Sequence, residues 1–286
     1  MTFKKTINIL HMKNSIHTSI IKTALLAVLS LTLNACGGVP DEKEDTASAE
    51  KVFSVDEVLE MVAKENDITR TLYTKAIVGE GKKQGMKFDE DWRKNDVEAG
   101  PLPALFLRGI ATSIKKGTVP LGLYLGSDFP INNANKLKGK QADLFEKIKK
   151  DQKPQFFYDE EQKLHTAMFA DLASADACVT CHNDHKQTSK TDWKLGDVMG
   201  STTWQYPADS LSYGDAIKVL NAYAKGTVDT YIEYLNEIES FKNSTKPEIG
   251  DKWPSKGNYL PKPEVFLDSV RKLSSFGTMK NLLSFK

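Results

Sequence analysis

Two cysteines and a histidine in the middle of the chain stand at a spacing that carries chemistry: Cys178-Val-Thr-Cys181-His182. In such a run the two thiols can add across the vinyl groups of a haem, and the imidazole can take one axial position on the iron. The run therefore predicts one covalently attached haem c, held by Cys178 and Cys181, with His182 as the proximal iron ligand.

Two other chemistries use the same residue types. Zinc could be bound by Cys178, Cys181, His182 and His185, but structural zinc sites normally draw on two separated ligand pairs, and these four residues span only positions 178–185. A thioredoxin-like redox pair needs a helix N-terminus in a βαβ setting, which the surrounding sequence does not indicate. Haem is therefore favoured, and His185 is expected to make a surface hydrogen bond.

The beginning of the chain has the composition of an export signal. Residues 1–35 hold four lysines and no acidic residue, and they include a ten-residue apolar run that is too short to span a bilayer as a helix. The run leads into Leu33-Asn34-Ala35-Cys36, which resembles the lipobox of bacterial lipoproteins. We predict a signal peptide over 1–35, a lipid on Cys36, and an exported protein on the periplasmic side of a bacterial membrane. Gly37 favours the outer membrane.

The chain contains three cysteines. If Cys36 carries lipid and Cys178 and Cys181 carry haem, no thiol remains for a disulfide, for nucleophilic catalysis or for thiolate ligation of the iron.

Without the four lysines of the leader, the chain has 35 basic and 38 acidic residues. This balance indicates neither a nucleic-acid partner nor a polybasic membrane surface, so the lipid is the expected contact with the membrane.

The pattern along the rest of the chain predicts an α+β fold. Residues 36–52 are expected to form a flexible tether, and Ser54-Val-Asp-Glu57 is a capping box at the start of a long helix. Helices are expected at 54–78, 102–116 and 142–150. Strands are expected at 121–125, 155–158, 164–169 and 201–206. An antiparallel sheet with flanking helices is therefore predicted over 53–207, with His182 starting a turn or short helix after a strand.

Residues 208–286 are expected to form a helical C-terminal extension. Apolar residues recur every three or four positions from Ile217 to Ile238, nearly as a heptad seam. This seam could pack on the 54–78 helix of the same chain, which is favoured, or form a homodimer through the 213–241 helix. Residues 244–263, with four prolines, predict an extended strap, and a last short helix is expected over 264–273.

Three blocks of the sequence are similar to a known family. They are 177–183 around the Cys-x-x-Cys-His run, 192–200, and Ser127-Asp-Phe-Pro-Ile-Asn-Asn133 with Phe145-Glu146 following it. Together they resemble the periplasmic c-type haem domain with a PAS-like fold, long labelled a domain of unknown function. That domain occurs as stand-alone exported proteins and as the input of membrane-bound signalling proteins. The resemblance covers Leu102 to Pro207 and implies a PAS-like fold and one covalent haem.

This chain departs from the family pattern at one point. Many members have Arg-Asn before the proline of the Ser127–Asn133 block, where this chain has Asp128 and Phe129. The resemblance therefore does not supply an arginine at that position for contact with a haem propionate.

The second axial position on the iron has three candidate side chains: His165, Met168 and Met199. Met199 is favoured because it lies in the family-like turn 196–200, although each of the three could serve ordinary packing instead. A methionine ligand would raise the reduction potential, histidine would leave it lower, and a vacant position would admit small ligands. The aromatic residues expected to wall the porphyrin are Trp193, Trp204, Phe156 and Phe157.

We therefore expect a mono-haem c-type cytochrome for electron transfer or redox sensing, with a redox partner protein that the sequence does not identify. A haem-based sensor of gas or redox state, acting through a separate signalling partner, is the alternative. An enzyme is not expected, since the sequence offers no catalytic triad, no flavin or nicotinamide motif and no distal His/Arg pair of the peroxidase kind.

Overall fold

A computed structural model describes residues 51–94 and 96–283 of the 286-residue chain. The predicted signal peptide, the lipidation site Cys36 and the tether up to residue 50 lie outside the described residues. The helices are α1 (Val55–Leu72), α2 (Glu80–Lys83), α3 (Pro103–Lys116), α4 (Gly139–Asp151), α5 (Asp176–Asp184), α6 (Tyr213–Ile238) and α7 (Pro263–Leu283). The strands are β1 (Val52–Ser54), β2 (Phe88–Asp89), β3 (Gly100–Pro101), β4 (Gly122–Gly126), β5 (Gln155–Asp159), β6 (Leu164–Leu172), β7 (Val198–Tyr206), β8 (Ser210–Ser212), β9 (Glu248–Gly250) and β10 (Tyr259–Pro261).

Four strands form an antiparallel sheet in the order β4-β7-β6-β5. They correspond to the four strands predicted from the sequence, but β6 and β7 are longer than expected. Their pairing runs from His165 opposite Tyr206 to Leu172 opposite Val198, with a bulge between Asp171 and Leu172. The bulge lies at the end of the sheet from which the chain continues into α5.

Helices cover both faces of this sheet. Because successive side chains of a strand point to opposite faces, Ala167 packs in the main core with α1 and α6, whereas Met168 packs with Phe145 of α4. The predicted α+β class with an antiparallel sheet and flanking helices is confirmed. The likeness to the PAS fold stays a prediction.

The long N-terminal helix begins at the predicted capping box. The Ser54 backbone N–H donates to Glu57 Oε2 at 2.9 Å, and the Glu57 N–H donates to Ser54 Oγ at 3.3 Å. The helix continues past the predicted end through a π-helical segment, Tyr73–Gly79, into α2, and Gly85 follows with a left-handed φ of 86°. α1 itself lies against β6 and β7 of the sheet.

The apolar face of α6 packs against other helices of the same chain. α6 contacts α3, α1 and α7, and its buried residues include Tyr223, Gly226, Thr230 and Tyr231. Helix α3 was not among the partners that the sequence suggested for this seam. The main contact partner of α6 is α3, and the favoured intrachain packing on α1 is also present.

The C-terminal segment shares its core with the rest of the protein. The described residues 51–94 and 96–283 belong to one compact unit, and Phe266 of α7 stacks on Tyr231 with ring centroids 4.4 Å apart. The strap over 244–263 contains the short parallel pair β9 and β10, and α7 is longer than the helix predicted over 264–273. Residues 208–283 contain the helices α6 and α7 and the short strands β8, β9 and β10, and they pack within the fold.

Candidate functional site

The Cys-x-x-Cys-His run lies in α5, which comes shortly after β6. Residues at positions i, i+3 and i+4 share one face of a helix, so Cys178, Cys181 and His182 lie on the same side of α5. Cys181 is exposed, Cys178 and His182 are half-buried, and both cysteines are free thiols. The sequence predicted a turn or short helix starting at His182, whereas the whole run is helical.

The segment before β7 holds α5 against the end of the sheet. The Asn183 side-chain amide donates to the Trp193 carbonyl at 3.1 Å, and the Asn183 side-chain oxygen accepts from the Trp193 N–H at 2.9 Å. Ala173 donates to the Asp197 carbonyl and accepts from the Gly196 N–H, both at 2.9 Å. Gly196 has a φ of 89°, which glycine adopts without steric penalty. These bonds fix α5 relative to the start of β7.

A small apolar cluster lies beside the first cysteine. Ala173, Trp193 and Met199 are buried, and the half-buried Cys178 and Val179 pack against them. We call these five residues the attachment cluster. Met199, the favoured second axial ligand, and Trp193, one of the expected haem-wall residues, are therefore both brought next to Cys178.

The other two candidate axial ligands lie elsewhere in the fold. His165 is near the opposite end of β6 and packs on the ring of Tyr158 at 4.9 Å. At about 3.3 Å per residue, the six steps of strand to Asp171 place His165 roughly 20 Å from the α5 end of β6. Met168 is fully buried in a separate cluster with Phe145. The structure does not bring His165 or Met168 together with Cys178.

Three of the four expected wall residues also lie away from the attachment cluster. Trp204 is in the main core, with its ring centroid 5.7 Å from that of Tyr223. Phe156 packs edge-on against Phe169, and Phe157 packs in the cluster under α4. Aromatic residues on strands are consistent with ordinary core packing here, and Trp193 alone of the four lies beside Cys178.

Helix α1 contributes charged residues to the same end of the sheet, which the sequence analysis did not foresee. Arg70 Nη2 lies 2.7 Å from Asp171 Oδ1 on β6, and Arg70 Nη1 donates to Thr202 Oγ1 at 3.3 Å. Burial lowers the pKa of Arg70, but the charges of Asp171 and Asp67 outweigh it, so that the pKa lies above its usual value. The signal available in the sequence was a pair of opposite charges, Asp67 and Arg70, spaced i, i+3 in the predicted long helix.

Burial shifts the pKa values of three side chains on α1 and α5. Burial raises the pKa of the Asp67 carboxyl, and the Arg70 charge opposes this shift. Part of the Asp67 side chain is nevertheless exposed to solvent. Burial also lowers the pKa of His182, helped by the charge of His185 and opposed by Asp171. Burial raises the pKa of the Cys181 thiol. Burial thus favours the neutral form of the His182 imidazole, which is the form that binds a metal ion.

The residues around α5 fit a large flat apolar group that carries carboxylates. Phe129, Leu172 and Leu195 flank the attachment cluster and are 41%, 37% and 61% exposed, respectively. Such uncovered apolar side chains beside a site suit a porphyrin face. The Trp193 Nε1–H is buried without a hydrogen-bond acceptor, and a carboxylate or water could accept from it.

Zinc is not supported by the same geometry. His185 lies beyond the end of α5, and its Nε2 is 3.2 Å from Glu90 Oε2, which is the surface hydrogen bond expected for it. Within 51–94 and 96–283, no group of three or more His, Cys, Asp or Glu side chains is arranged to hold a metal ion. A four-ligand cage from Cys178, Cys181, His182 and His185 is thus not formed.

The fold and the site together define an α+β domain that carries a Cys-x-x-Cys-His helix at the end of an antiparallel sheet. The chain belongs to the Tll0287-like family, whose model matches residues 42–207, more than half of the sequence. The match ends at the position where the resemblance noted from the motifs also ends. No curated protein and no solved structure matches the chain.

Proposed function

We propose that the protein is an exported, lipid-anchored c-type cytochrome with one haem, which serves in electron transfer or redox sensing. The observation that carries the proposal is the common face of α5, where two free thiols and an imidazole lie at the spacing that covalent haem attachment needs. Membership of the Tll0287-like family adds support.

Each of the three residues has a role in this proposal. Cys178 and Cys181 hold the haem through thioether bonds, and His182 is the proximal ligand of its iron. The haem supplies the one-electron redox chemistry. The protein orients the group through α5, which the Asn183–Trp193 hydrogen bonds fix in place, and it restricts water on one side through the attachment cluster.

The proposed location rests on the beginning of the chain. Covalent haem attachment takes place outside the cytoplasm, which agrees with a signal peptide over 1–35 and with a lipid on Cys36. None of the described helices is both long and apolar enough to cross a membrane. We propose that the lipid holds the protein to the periplasmic side of a membrane, close to a redox partner protein.

A haem-based gas or redox sensor is the second candidate. It is favoured by one observation: of the three candidate axial ligands, only Met199 lies beside Cys178. If Met199 does not bind the iron, the sixth position is vacant and a diatomic gas can bind there. Such a sensor would pass its signal to a separate partner.

The experiment expresses the full chain in a bacterium with a c-type maturation system and compares three forms. The wild type is expected to keep a haem stain on a denaturing gel, and the Cys178→Ala/Cys181→Ala variant is expected to lose it. Cys36→Ala is the matched control, which should keep the haem and lose the membrane anchor. A colourless wild type, or a double variant that retains the stain, overturns the proposal.

Absorption spectra of the reduced wild type with and without carbon monoxide separate the two candidates. Unchanged bands support electron transfer through a six-coordinate iron. Ready binding of carbon monoxide supports the sensor.

A further inference from the structure

Three charged side chains lie where α1 meets the end of β6, and Asp67 among them is exposed to solvent. Asp67 and Arg70 come from α1, and Asp171 comes from β6. The Arg70–Asp171 ion pair has an N–O distance of 2.7 Å, and its side chains are 23% and 21% exposed. Arg70 is held further by Thr202 at 3.3 Å. We call Asp67, Arg70 and Asp171 the recess charges.

The recess charges adjoin the proposed haem-attachment site on two sides. Asp171 is two residues before Ala173 of the attachment cluster, and it pairs across the sheet with Gly200, next to Met199. Arg70 is bound to Asp171 at 2.7 Å, so its guanidinium lies at the same end of the sheet. The charges of Asp171 and Arg70 would therefore act on the iron of a haem held on α5.

Stability alone gives little reason for this arrangement. A partly buried ion pair loses hydration that its attraction only approximately offsets, so apolar residues of similar volume are often as stable. The effective dielectric constant for charge pairs near a protein surface is about 20, so such charges act on each other about four times as strongly as they would in bulk water. The recess charges sum to one negative charge.

We propose that the recess charges set the reduction potential of the iron, a proposal that rests on the proposed haem at Cys178 and Cys181. Oxidised haem carries one more positive charge than reduced haem. A nearby carboxylate therefore favours the oxidised form and lowers the potential, and a nearby guanidinium raises it. Asp67 and Asp171 act in the first sense, Arg70 acts in the second, and their net charge holds the potential low.

The test measures the reduction potential of the haem-loaded full chain by spectroelectrochemistry at one pH and at low ionic strength. Asp171→Asn and Asp67→Asn are expected to shift the potential upward, and Arg70→Gln is expected to shift it downward. Arg70→Lys, which keeps the charge, should stay near the wild type. The control is Glu60→Gln, because Glu60 forms an exposed pair with Lys64 at 2.9 Å on the same helix and should leave the potential unchanged.

The absorption spectrum is recorded for every variant, so that a shift caused by charge can be told from a change of iron ligand. Asp67→Asn keeps the test decisive if Asp171→Asn or Arg70→Gln does not fold, because Asp67 is exposed. The inference is overturned if haem is present and the reduction potentials of the variants equal that of Glu60→Gln. It is also overturned if removing a carboxylate and removing the guanidinium shift the reduction potential in the same direction. A wild type without covalent haem instead refutes the proposed function.

Discussion

Replacing Gly109 by alanine should destabilise the protein through the contact between α3 and α6. A methyl group on Gly109 would lie 2.4 Å from Thr230 Cγ2 and 3.1 Å from Thr230 Oγ1. Thr230 is 2% exposed, and its hydroxyl donates to the Gly226 carbonyl at 2.8 Å. The threonine therefore cannot turn away without giving up a buried hydrogen bond.

The change in the free energy of unfolding for Gly109→Ala is the difference between a packing cost and a gain in helix propensity. Adding a methyl group to a well-packed core costs about 1–3 kcal/mol, and alanine in place of glycine inside a helix gains about 1 kcal/mol. The contact at 2.4 Å is too close for ordinary packing, so the packing cost is larger. We expect a net loss of up to about 2 kcal/mol in the free energy of unfolding, from the difference between the packing cost and the helix gain.

The assay is urea unfolding of the wild type, Gly109→Ala, Thr230→Ser and the double variant. Serine lacks the Cγ2 atom and keeps the hydroxyl, so the double variant should recover most of the loss and the two substitutions should be coupled. Gly214→Ala is the matched control, since its added methyl would meet nothing closer than Ser212 Oγ at 3.8 Å. If Gly109→Ala is as stable as the wild type, α3 and α6 do not pack together in solution. The homodimer through the 213–241 helix then becomes the better explanation of the seam.

Two further predictions test the core and the iron site. Phe266→Ala should cost about 3–5 kcal/mol, because Phe266 is fully buried and stacks on Tyr231 at 4.4 Å, and it should lower the urea midpoints of tryptophan fluorescence and haem absorbance together. A haem signal that keeps its wild-type midpoint would show that α7 is not part of the common core. Met199→Ala should turn the ferric haem high-spin if Met199 is the second axial ligand, whereas Met168→Ala should lower stability by about 2–5 kcal/mol and leave the spectrum unchanged. If the absorption spectrum changes in Met168→Ala and not in Met199→Ala, the placement of these two residues is contradicted.

Local patterns in the sequence were sufficient for most of the secondary structure. The capping box at Ser54, the helix over 102–116 and the four strands all follow from short-range spacing, and each is present. The ends of elements were less well predicted, because tertiary contacts extend them. α1 continues into α2, and α7 runs to Leu283.

The sequence by itself predicted the chemistry of the candidate site, since two thiols and an imidazole at this spacing are what covalent haem attachment needs. Only the tertiary structure decided which distant residues adjoin them. It brought Met199 and Trp193 to Cys178, left His165 at the far end of β6, and added Arg70 from α1. The physical reason is that strand register and helix packing join residues far apart in the chain, and no local periodicity records which of them will meet.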